Sequence, residues 1–74
     1  MSESLDVQMI AAHEAGDRMA LIRLYTQAAD AANDENAACF YLTHAYVFAL
    51  EAGSNEAERL KARLVAAGRE RYLD

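Results

Sequence analysis

Seventy-four residues make one small domain, read here as 1–74, and a net charge of −5 disfavours a chain-wide surface for phosphate backbones. Hydrophobic residues supply 54% of the chain, proline is absent and only three glycines occur, a composition that favours helix and disfavours sheet. The charge is uneven, with eight acids and two bases over residues 1–54 but four acids and five bases over residues 55–74.

The N-terminal stretch MSESLDVQM lacks the basic and apolar runs of a secretory signal. A first helix is predicted over about 4–15, with Leu5, Met9 and Ala12 on one face and Val7 and Ile10 flanking them. Gly16-Asp17 then reads as a stop followed by a start. Glycine takes the left-handed conformation past a helix end, and the aspartate accepts hydrogen bonds from the first free N–H groups of the next helix.

The second helix, over about 17–32, places Leu21, Leu24, Ala28 and Ala31 on one face with Tyr25 beside them. Asn33-Asp34-Glu35-Asn36 is polar and suits a break, because Asp34 and Glu35 are favoured at a helix N-terminus. The rival is one continuous helix from Asp17 to Ala52. Its length, thirty-odd residues, exceeds what small globular domains usually use.

The third helix, over about 35–52, is apolar almost all round: across Ala37–Leu50 only Thr43 and His44 are clearly polar. Such a helix is expected at the centre, covered on every side. Gly53-Ser54 repeats the stop-and-start signal. The fourth helix, over about 54–67, carries the stripe Ala57, Leu60, Leu64 and Ala67. Ser2, Ser4 and Ser54 are candidate caps. Arg59, Arg63 and Arg71 form a basic stripe, but Glu56, Glu58 and Glu70 interleave with it, as on a solvated helix face. Tyr72-Leu73 either fold back on the core or form a contact motif of their own.

The four helices pair into halves of about 4–33 and 35–70. "AHEAGD" at Ala12–Asp17 recurs as "ALEAGS" at Ala49–Ser54, and at the same offset Leu5 matches Leu42, Ile10 matches Val47 and Ala20 matches Ala57. The expected architecture is all-α, with two antiparallel helix-turn-helix hairpins. Cys39-x2-Leu42-Thr43-x2-Tyr46, with Ala45, and Gly16-Asp17-x2-Ala20-x3-Leu24, followed by Tyr25, resemble a degenerate tetratricopeptide or Sel1-like repeat. Cys39 stands where that pattern has tryptophan, Thr43 where it has glycine, Lys61 where it has an aromatic, and no proline closes either copy.

The resemblance implies a right-handed array and a protein- or peptide-binding groove lined by the first helix of each repeat. Its candidate residues are Val7, Ile10 and Glu14, with Ala11, from the first helix. From the third come Phe40, His44, Val47 and Phe48, with Ala37. Two phenylalanines and a histidine on one face form an aromatic platform for a partner's side chain. The alternative is that Phe40 and Phe48 complete a small core. Truncating His44 or Phe48 is expected to hurt binding more than folding if the platform reading holds.

Glu14 and Glu51 recur before each turn and either await basic groups or are simply solvated. His13 aligns with Leu50, which sets it apart from His44. No metal-ligand spacing, phosphate loop or nucleophile–base pair is present, so neither catalysis nor a cofactor or metal is expected. Cys39 reads as a buried small hydrophobe, and a lone cysteine gives no intrachain disulfide. No run approaches the ~18 apolar residues of a membrane span. The expectation is a cytoplasmic adaptor or scaffold that binds protein and neither nucleic acid nor membrane. Its rival is a self-associating structural or regulatory subunit whose apolar face is closed in a homodimer.

Overall fold

The computed structural model describes residues 4–68. They are all-α, without a strand: α1 (Leu5–Ala15), α2 (Arg18–Ala31), α3 (Glu35–Ala52) and α4 (Glu56–Ala66). The expectations for Ser2, Arg71 and the Tyr72-Leu73 pair lie outside the described residues.

Each start and stop has a local cause. The Ser4 hydroxyl accepts from the Val7 N–H at 3.2 Å, the Asp17 carboxylate from Ala20 at 3.1 Å and the Asp34 carboxylate from Ala37 at 2.9 Å. Side-chain caps of this kind each stabilise a helix by about 0.5–2 kcal/mol. Gly16 and Gly53 are left-handed, with φ of 65° and 64°. At Gly16 the N–H groups of Gly16 and Asp17 donate to the carbonyls of His13 and Ala12; at Gly53 those of Gly53 and Ser54 donate to Leu50 and Ala49. The two turns are therefore the same Schellman motif. The repeated letters of the sequence encode this repeated turn.

The two turns lead into their helices differently. Asp17 caps α2 directly, whereas Ser54 is separated from α4 by Asn55 in right-handed conformation, and its hydroxyl accepts from the Glu56 N–H. Between α2 and α3, Ala32 is extended (ψ 142°) and Asp34 opens the next helix, so the continuous-helix rival is excluded.

Each helix packs on the next in the chain, and the contact between α2 and α3 is the most extensive. Arg18 at the start of α2 meets Glu51 at the end of α3, while Tyr25 meets His44, so these helices run antiparallel. Arg63 near the end of α4 meets Asp30 near the end of α2 at 2.7 Å, which sets α4 parallel to α2. The Cα trace is a slab of 44 × 29 × 14 Å.

Two apolar clusters form the core. Ile22, Ala29, Cys39, Leu42, Ala45, Ala49, Leu60 and Leu64 join α2, α3 and α4; Met9, Ala12, Leu21 and Leu24 join α1 and α2. Tyr25, Tyr41 and Phe48 pack against both clusters and tie them together. Ala45 and Ala49 are completely buried, and their small side chains let neighbouring helices approach α3 closely.

The structure corrects two expectations. Ile22 and Ala29 are buried, which the single predicted stripe of α2 omitted, and Ala31 is exposed. The helix lies between two clusters and so buries two stripes, and α1, with 11 residues against 14, is too short to cover Ala31. The third helix is central but not covered on every side: Phe40, Val47 and Leu50 are exposed. Four helices in a flat array cannot surround one of their number.

Candidate functional site

The side chains of α1, α2 and α3 meet around Tyr25. Its position on α2, between the stripe facing α1 and the stripe facing α3, brings its ring to the seam of the two clusters. The His44 ring stacks on it at 5.3 Å between centroids and 15° between planes. Phe48 lies 5.6 Å from it and Tyr41 6.2 Å. From α1, His13 Nε2 lies 3.0 Å from the Tyr25 hydroxyl, and its ring meets Phe48 edge-on at 5.7 Å.

Phe40 extends this group outward, 4.5 Å from His44 and 5.6 Å from Tyr41. The His44 ring is held by its own helix, since Nδ1 lies 3.0 Å from the Phe40 carbonyl oxygen. A carbonyl only accepts, so Nδ1 carries the hydrogen of that bond. The rings border a cleft of about 410 Å³, walled by Asp6, Met9, Ile10 and His13 from α1, Tyr25 from α2, and Phe40, Tyr41 and His44 from α3. That volume lies at the small end of ligand-binding clefts.

The structure brings together Ile10, Phe40 and His44 of the sequence-derived set. Phe48 lies deeper, half-buried against both core clusters, and does not wall the cleft. Val7 and Val47 are exposed but do not wall the cleft, and neither does exposed Glu14. Glu51 pairs with Arg18 of the same chain at 3.4 Å. Cys39 is buried, as expected.

Sequence reasoning missed Asp6, His13, Tyr25 and Tyr41 as members of this site. His13 and His44, separated by the repeat alignment, both contact Tyr25. The antiparallel register of α2 on α3 is the signal that joins them, and it is a tertiary property.

A larger cleft of about 580 Å³ opens on another side of α2, walled by Met19, Ile22, Arg23, Thr26 and Glu56. It offers no aromatic ring, and its charges are of both signs. Among the described residues no three His, Cys, Asp or Glu side chains are grouped to hold a metal ion, and no helix is long and apolar enough to cross a membrane. Comparison with family models, with curated proteins and with solved structures found no match.

Proposed function

We propose that this chain is a small adaptor or scaffold module of tetratricopeptide-like architecture that binds a protein or peptide in the cytoplasm. In this reading α1–α2 and α3–α4 are two hairpins of a right-handed array. The face of α1 and α3 takes the partner, and no catalysis, cofactor, nucleic acid or membrane is involved. One observation carries the reading. Phe40 and Ile10, 58% and 59% exposed, flank a cleft whose other walls are the rings of His13, Tyr25, Tyr41 and His44 together with Met9 and Asp6. Large apolar side chains left outside a core this small, around a concave surface, are the pattern of a protein-binding site. An anchor side chain of a partner that covers those rings would gain from that area, whereas the chain's own folding does not use it.

Peptide display tests the reading directly. Peptides selected on the immobilised wild-type chain are re-screened on a Phe40→Asp variant whose helicity is checked by circular dichroism. Loss of binding to the variant supports the α1–α3 face. Peptides that bind both forms equally place binding elsewhere and remove this face from the proposal.

The exposure of Val7, Ile10, Phe40 and Val47 also favours a second reading, closure of the same face by another copy of the chain. Light scattering after size exclusion at micromolar concentrations separates the two. A stable dimer that Phe40→Asp dissociates would replace the adaptor reading with self-association.

A further inference from the structure

The chemistry of the α1–α3 cleft selects among side chains. Its walls carry the rings of His13, Tyr25, Phe40, Tyr41 and His44, the apolar Met9 and Ile10, and one carboxylate, Asp6, and among the described residues no lysine or arginine lines it. Asp6 has no ion-pair or hydrogen-bond partner among the described residues. The first 54 residues, which supply every described wall of the cleft, hold eight acids against two bases, a balance that favours a cationic partner group. Because Nδ1 of His44 donates to the Phe40 carbonyl, the other ring nitrogen of a neutral His44 is an acceptor. An anionic side chain would be repelled here. A purely apolar one would take water from the Asp6 carboxylate and give nothing back.

We infer that the cleft receives an arginine side chain of the partner, its guanidinium plane against the exposed Phe40 ring and the half-buried His44 ring and its N–H fork toward the Asp6 carboxylate. The inference rests on the protein-binding reading above and names the group that reading left open. Arginine is favoured over lysine on physical grounds. The guanidinium is planar and weakly hydrated, it stacks on ring faces, and its paired donors match a carboxylate, whereas an ammonium holds its water more tightly. The cleft volume of about 410 Å³ accommodates one such side chain.

The test uses three probes on the full ¹⁵N-labelled chain: N-acetyl-arginine amide, its neutral isostere N-acetyl-citrulline amide, and N-acetyl-leucine amide. The arginine probe is expected to shift the amide resonances of Asp6, Ile10, Phe40 and His44 saturably, and the citrulline probe to bind about two- to fivefold more weakly. Asp6→Asn, an exposed change in the first turn of α1, is expected to remove the same factor of about two to five for arginine while leaving helicity unchanged. Equal binding of the leucine and arginine probes at these residues overturns the inference yet leaves a protein-binding cleft in place. Absence of any shift with the arginine probe also overturns it. The mass in solution then decides the wider reading: a dimer that Phe40→Asp dissociates removes it, and a monomer leaves the peptide selection as its test.

Discussion

α1 and α4 are both 11 residues long and both flank the α2–α3 pair, yet they finish their surfaces differently. α4 buries Leu60 and Leu64 almost completely and turns Glu58, Arg59 and Arg63 outward or to the rim. Its apolar content matches the area it can cover. α1 buries only Met9 and Ala12 and leaves Val7 and Ile10 in water, beside the equally exposed Phe40 of α3. One flank helix buries both of its leucines; the other leaves two of its large apolar side chains in water. A 74-residue array has a small interior, and on the α1 side it leaves apolar side chains outside.

The contrast can be broken by mutation. The largest effect is expected for Leu64→Ala, which empties a fully buried site in the larger cluster and should cost about 2–5 kcal/mol in urea unfolding. Phe48→Ala comes next, at about 2–3 kcal/mol, because its ring bridges both clusters while remaining partly accessible. A variant that folds normally and only loses binding would return Phe48 to the platform. Gly53→Ala and Gly16→Ala should each lower stability by about 1–2 kcal/mol through backbone strain alone, since a Cβ at either position meets nothing within 4 Å. Equal losses by thermal melting would show that the two turns are energetically as alike as they are geometrically. Smallest of all, Ile10→Ser should change stability by less than about 0.5 kcal/mol while weakening capture of selected peptides. A loss matching that of Leu64→Ala would erase the difference between the flanks.

The ion pairs sharpen the same picture. Arg18–Glu51 and Arg63–Asp30 tie α2 to α3 and α4, but every partner is well exposed, and such pairs contribute about 0–1 kcal/mol each. They mark helix register more than they hold it. The caps and the buried leucines hold the array together, and the aromatic group around Tyr25 joins its two clusters.

Local signals in the sequence were enough for the helices. Gly16, Gly53, Asp17 and Asp34 act through backbone conformation and hydrogen bonds within a few residues, so the boundaries of α1, α2 and α3 could be read to within a residue without knowing what packs on what, whereas α4 starts at Glu56, two residues after the expected Ser54 start. The polar break before α3 and the burial of Cys39, Leu60 and Leu64 were legible for the same reason. The candidate site was legible only in part. Ile10 could be named from one face of α1 and Phe40 and His44 from one face of α3, but Phe48 could not be separated from them, because facing the groove and bridging the core differ by a small rotation of α3. The meeting of His13, Tyr25 and His44 depends on the antiparallel register of α2 against α3 and on the angle at which α1 returns. Residues 12 and 19 positions apart carry no local record of that meeting. By itself the sequence determined where the chain turns and which side chains need cover. Only the tertiary structure decided which of them remained without it, because cover is supplied by neighbouring helices.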